Sequence, residues 1–231
     1  MRRAVTAAAM GAVVLAGLVG CGSGGDGRTA EASDRAEASA GGRTGSAEVA
    51  RSGGTVGPAG SPCALPVSFD TAADWKAEEV TDAEQALDDM PEDMKELGLD
   101  EVAREMLRQG PVTAACEVDG DGAGHLGFLR VWTAGPSGDD ATTVLKDFVD
   151  AETEGVEEAR YSTFETADGL AAAEVRYLTM SVLWEELVPR RALAVVTPDG
   201  PVVVHLGGTD EEEHKAMLPA YELARTTLHT T

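Results

Sequence analysis

Leu193-Ala194-Val195-Val196, the turn Pro198-Asp199-Gly200 and Val202-Val203-Val204 decide the fold. Both flanking runs are continuously apolar. A sheet with one wet face alternates apolar and polar residues, so a run without alternation reads as a strand covered on both faces. The Pro-Asp-Gly turn leaves no room for a crossover, which makes the two strands antiparallel neighbours. Working outward, further strands are expected at 66–69, 112–118, 126–133, 159–165, 171–179 and 181–188, with the central pair at 190–197 and 201–207. Helices at 81–109, 139–152 and 210–228 are available to cover both faces. The expected fold is α/β, a three-layer αβα sandwich with a mainly antiparallel sheet (α+β).

Thr81-Asp82-Ala83-Glu84 has the form of a capping box. Met90, Met94, Leu97, Val102, Met106 and Leu107 recur at helical spacing behind it and are expected to fill core, up to a stop at Gly110. Ser137 to Asp140 caps a helix with the stripe Val144, Leu145, Phe148 and Val149. Thr209 to Glu212 caps the last helix, whose stripe is Met217, Tyr221, Ala224 and Leu228. The loop Asp119-Gly120-Asp121-Gly122 resembles the start of a calcium site, but it lacks the third acidic position and the distal glutamate and reads as a hairpin loop.

Three of these segments carry a family resemblance. Val67-Ser68-Phe69 leading to Trp75 resembles the opening of PsbP-like (Mog-type) domains in actinobacterial surface lipoproteins. Ala167-Asp168-Gly169-Leu170 with the strand Ala171 to Tyr177 is similar to their mid-sheet turn and strand, and Leu218-Pro219-Ala220-Tyr221 with Thr227-Leu228 to their closing helix. The likeness spans most of 65–229; the proline such domains place before the tryptophan is absent here. The resemblance implies an αβα sandwich with a binding or accessory role, and it supplies no catalytic residues.

The chain also reads as three regions. Residues 1–20 form a lipoprotein signal peptide: Arg2-Arg3, an uncharged run from Ala4 to Leu18, and the lipobox Leu18-Val19-Gly20-Cys21. The run is too short to span a bilayer. Cys21 is the expected lipidation site, where a thiolate accepts a diacylglycerol and the mature chain begins. Residues 21–60 are expected to be a disordered tether, because 27 of the 39 residues from Gly22 to Gly60 are Gly, Ala, Ser or Thr. A coil of that length spans about 35 Å. Residues 61–231 form the single globular domain.

Cys63 and Cys116 remain for the folded domain. Alternation in Val112-Thr113-Ala114-Ala115-Cys116-Glu117-Val118 puts Val112, Ala114, Cys116 and Val118 on one inward face. A Cys63–Cys116 disulfide would pin the start of the domain in an oxidising compartment. Two buried free thiols are the alternative.

The 231 residues carry a formal charge of −23, and 36 of the 41 acids but only 12 of the 18 bases fall in 61–231. Such an acid excess excludes nucleic acid as a partner. It suits a solvated surface or a basic protein or peptide partner. None of His125, His205, His214 and His229 pairs at a metal-ligand spacing, and no nucleophile motif or phosphate loop is present. No catalytic residue, cofactor or metal ligand is therefore assigned. Two readings stand: a non-catalytic binding or accessory module on the extracytoplasmic face of the cell membrane, anchored through the lipid on Cys21, or a cell-surface hydrolase acting through carboxylates. For the second, Glu185-Glu186 beside Trp184 is the pair to inspect, because an aromatic next to acids can stack a sugar.

Overall fold

Strands β9 (Leu187–Thr197) and β10 (Gly200–Gly207) form the hairpin at the centre of an eight-stranded sheet. Gly200 makes the turn possible: its φ is +130°, and a Cβ there would lie 2.0 Å from the carbonyl oxygen of Ala134. Beyond β9 lie β8 (Ala171–Met180) and the edge strand β7 (Val156–Glu165). Beyond β10 lie β6 (Phe128–Thr133), β5 (Val112–Asp119) and β3 (Lys76–Glu79). The short β4 (Arg108–Gln109) also pairs with β5. Every pairing in this sheet is antiparallel. This computed structural model describes residues 48–80, 89–152, 155–181 and 185–231.

Both faces of the central hairpin are buried. Ala192, Ala194 and Val203 pack with Val144, Leu145, Phe148 and Val149 of the helix Ala141–Asp150. Leu193, Val195, Val202, Val204 and Leu206 pack on the opposite side with Met217, Tyr221, Ala224 and Leu228. These last four come from the helix Glu211–Thr227 and the residue that ends it. Consecutive side chains of a strand point to opposite faces, so an unbroken apolar run needs two cores. Each of the two helices starts where a carboxylate takes an otherwise unpaired amide: Asp140 accepts from Thr143 N–H at 2.8 Å, and Asp210 from Glu213 N–H at 2.9 Å.

The fold is α+β with mostly antiparallel sheets and a few helices. One outer layer is richer than expected, because a second sheet lies beside the last helix. It consists of β1 (Ser52–Val56), β2 (Val67–Ala72) and β11 (His229–Thr230). β1 falls inside the stretch expected to be a disordered tether up to residue 60. Ser52 to Thr55 are exposed and only Val56 is buried. The strand gains its order from its ladder with β2, which composition alone does not register.

Three other expectations are corrected. The segment 181–188 is not a strand of its own: Ser181 N–H donates to the Glu186 carbonyl, Leu187 and Val188 already belong to β9, and residues 182–184 lie outside the described residues. Leu126, expected to open β6, lies 72% exposed in the loop before it. The helices α1 (Glu92–Glu96) and α2 (Leu99–Met106) do not cover the sheet with the side chains expected to do so. Met94, Leu97 and Val102 are exposed: Gly98 (φ +70°) splits the segment into two short helices, which breaks the continuous apolar stripe, and Leu107 after them is half-buried. The capping box at Thr81 lies outside the described residues. The helices Ala141–Asp150 and Glu211–Thr227 are called α3 and α4 below.

Candidate functional site

Cys21 lies outside the described residues. Cys63 and Cys116 form a disulfide with Cα atoms 5.9 Å apart, and both are fully buried. The alternation argument for Cys116 holds for burial but not for facing. β5 carries a bulge at Ala115, so Ala114 pairs with Trp132 while Cys116 pairs with Val131. Val112 and Ala114 therefore face α3, whereas Cys116 and Val118 face the core under α4. The inserted residue turns the thiol toward Cys63.

Glu185 and Glu186 are exposed on the turn after β8. Glu185 has φ +53°, its N–H donates to the Ser181 carbonyl at 2.9 Å, and the Glu186 carbonyl accepts from Ser181 N–H at 2.8 Å. The backbone thus explains their place, and neither lines a cavity considered below. Trp184 is outside the described residues.

His205 is the buried sheet residue expected from its position on β10. Its ring lies 5.6 Å from Phe148 and 6.4 Å from Tyr177. The Tyr177 hydroxyl donates to Glu152 Oε1 at 2.7 Å, which leaves His205 Nε2 to donate to the phenol oxygen at 3.3 Å. Gln109 Nε2 donates to the same Glu152 oxygen at 3.0 Å and to the Phe148 carbonyl at 3.2 Å. Burial first, then the charges of Arg190 and Arg130, push the His205 pKa down to about 3. A neutral, hydrogen-bonded imidazole in this position ties α3 to the sheet.

The opposite face holds the feature that the sequence reading missed. Arg160 on β7 pairs in register with Arg176 on β8, and Arg176 pairs with Arg191 on β9. Residues in register share a face, so three guanidinium groups form one cross-strand row. Like charges placed directly opposite repel. The row, with Leu178, His214 and Leu218, lines a cavity of about 500 Å³. Glu158 also lines it, as does Arg190, whose head donates to the Gly208 carbonyl at 2.5 Å.

A buried ion network sits behind the row. Arg191 donates to Glu222 Oε1 at 2.5 Å, and its Nε lies 3.7 Å from Glu174. Glu174 also lies 3.7 Å from Arg176 and 3.9 Å from Arg225. Arg225 in turn covers the Phe164 ring at 4.3 Å and lies 3.6 Å from Glu222. Removing two charges from water costs several kcal/mol per ion, which only such multiple pairing offsets. Arg191 is thereby fixed in place. Arg176 and Arg160 keep side chains 63% and 79% exposed, with weaker holds on Glu174 and on Glu158 at 3.0 Å. His214 sits in the first turn of α4, is 6% exposed, and its Nδ1 has no hydrogen-bond partner among the described residues. Burial, then Arg191 and Arg190, lower its pKa to about 4, so the ring is neutral at neutral pH.

A family profile described as "Uncharacterised lipoprotein" matches residues 32–228. The chain belongs to that lipoprotein family. Membership carries membrane association with it; among the described residues, no helix is long and apolar enough to cross a membrane. No curated protein matches this lipoprotein. Among solved structures, it is similar to the solution structure of cyanobacterial PsbP (CyanoP) from Synechocystis sp. PCC 6803. That likeness covers 72% of this chain and 87% of the other, with 11% identity and a TM-score of 0.45.

The arginine row had a weak signal in the sequence. Arg160, Arg176, Arg190 and Arg191 are four of only 12 bases in residues 61–231, and they fall on three consecutive strands. Their juxtaposition depends on the register of two hairpins, and β7 bulges between Glu157 and Arg160. A bulge shifts facing by one residue, and spacing alone does not reveal it.

Proposed function

We propose that this lipoprotein is a non-catalytic binding module held at the extracytoplasmic face of the cell membrane by a diacylglycerol on Cys21. Membership in a lipoprotein family supports the anchor, and the lipobox Leu18-Val19-Gly20-Cys21 supports Cys21 as its site. The observation that carries the binding role is the arginine-lined cavity, a concave site with apolar walls and convergent charge. Its polar side chains are suited to hold a ligand: guanidinium groups donate hydrogen bonds but stay protonated and so do not serve as acid or base, and the Nδ1 of the neutral His214 has no hydrogen-bond partner among the described residues. The strongly acidic surface elsewhere suits a basic protein or peptide partner, with an affinity that falls as salt rises. No observation favours the carboxylate hydrolase, since Glu185 and Glu186 stand exposed on a turn.

The test uses the full chain purified from membranes. It is assayed for turnover of glycan, ester and peptide substrates, and in parallel for salt-sensitive capture of cell-envelope components. Capture without turnover is the expected result. Turnover with no captured component overturns the binding reading, and loss of that turnover in Glu185→Gln or Glu186→Gln would assign it to the carboxylates.

A further inference from the structure

We propose that the cavity over β7, β8 and β9 binds a small amphiphilic oxyanion, a carboxylate or phosphate head on an apolar body. This inference rests on the binding-module reading and names the ligand class of the same site.

Local charge is the first argument. Four arginines meet here: Arg160, Arg176 and Arg191 along the cavity and Arg225 behind it, while Arg190 at its margin donates from its head to the Gly208 carbonyl. Three glutamates answer them, namely Glu158, Glu174 and Glu222. The site is thus locally positive inside a domain with a threefold excess of acids over bases. A surface under no constraint but solubility would spread its few bases among its many acids. Placing three of them side by side on adjacent strands raises the energy of the empty sheet, and an anion lowers it again.

Geometry is the second argument. The forked donors of arginine match the two or more oxygens of a carboxylate or phosphate. Arg191 is already committed to Glu222 and Glu174, so it shapes the floor of the site. Arg160 and Arg176 have exposed heads that can turn to a ligand. Leu178, Leu218 and Pro189 line the same cavity and offer an apolar wall. A volume of about 500 Å³ exceeds what an inorganic anion fills and falls within the range of small-molecule sites. Arginines alone would suit inorganic phosphate; the leucines and the size call for an apolar body.

The third argument is the orphaned ring nitrogen. His214 Nδ1 is buried beside the cavity without a partner among the described residues, an arrangement that costs free energy in the empty state.

The full chain in nanodiscs of zwitterionic lipid is titrated calorimetrically with hexanoate, hexyl phosphate, inorganic phosphate and hexanol, and empty nanodiscs are subtracted. Hexanoate and hexyl phosphate are expected to bind, with inorganic phosphate and hexanol at least about tenfold weaker. Arg160→Gln and Arg176→Gln are expected to lose about tenfold each. Arg160 is held by the exposed Glu158, so Arg160→Gln should keep the wild-type unfolding temperature; Arg176→Gln also loosens the buried Glu174 and is read beside Arg176→Lys, which keeps that charge. Equal affinity for inorganic phosphate or hexanol, unchanged affinity in both variants, or no binding of either hexyl anion would overturn the proposal. Failure with these probes leaves the binding-module reading to its envelope assay. Hydrolysis of bound hexyl phosphate would overturn that reading instead, while the ligand class would stand.

Discussion

His205 illustrates how a single side chain couples the fold to pH. In the unfolded chain its pKa is near 6.5, whereas the folded core lowers it to about 3. Between those values the unfolded state binds a proton that the folded state refuses, so stability falls as pH drops through that window. His214, lowered to about 4, acts in the same direction over a narrower range. From pH 7 to pH 5, linkage assigns a loss of about 2 kcal/mol to His205 alone. The variant His205→Gln keeps a hydrogen-bonding group beside Tyr177 but removes the titration. It should be less stable at pH 7, and it should lose about 2 kcal/mol less than the wild type on acidification to pH 5. Urea midpoints of both proteins at the two pH values check this. Equal pH dependence would mean that His205 does not stay neutral in the fold. The sequence placed this histidine correctly as a buried sheet residue, because it alternates with Val204 and Leu206 in an apolar run. Its partners Tyr177, Glu152 and Gln109 come from three other segments, and no local pattern joins them.

Elements were legible where their own side chains stabilise them. The stripes of α3 and α4 and the runs of β9 and β10 carry their burial in their spacing, and all were found. β1 failed that test because its stability is borrowed: four of its five residues are exposed, and its partner is β2. The bulge in β5 was hidden for a related reason. Ala114 and Ala115 look alike in an alternating pattern, and only the register with Trp132 and Val131 shows which one is extra. Without that insertion Cys116 would face α3 and could not reach Cys63. The segment 92–106 erred in the other direction, since a helical apolar period predicts a face without saying that a partner covers it. Gly57 tests whether β1 belongs to the fold. It follows β1 with φ +111°, and a Cβ there would lie 2.0 Å from the Val67 carbonyl oxygen. Gly57→Val should therefore destabilise by about 2 kcal/mol or more through backbone strain and the displaced ladder. A disordered tether up to residue 60 would instead leave the thermal midpoint unchanged.

At the scale of the molecule, charge and attachment pull in opposite directions. The domain is strongly acidic, and membrane surfaces rich in anionic lipid repel it. Electrostatic attraction to such a surface therefore does not favour retention, and the proposed lipid on Cys21 would supply it. Acyl chains contribute about 0.8 kcal/mol per buried CH₂, and two chains suffice for stable anchoring where one is marginal. A lipid on Cys21, as proposed, would hold the folded part near the membrane while this repulsion keeps it off, leaving the arginine cavity and the acidic surface accessible. Cys21→Ala removes the only thiol in the expected lipobox and leaves Cys63 and Cys116 to their disulfide. The variant should leave the membrane fraction for the soluble one, or accumulate as a precursor heavier than the mature chain by the signal peptide. Fractionation with intact-mass analysis distinguishes these forms, and the wild type should carry the added mass of diacylglycerol at Cys21. Retention of a normally processed Cys21→Ala protein in the membrane fraction, at high salt as at low, would place the anchor elsewhere in the chain.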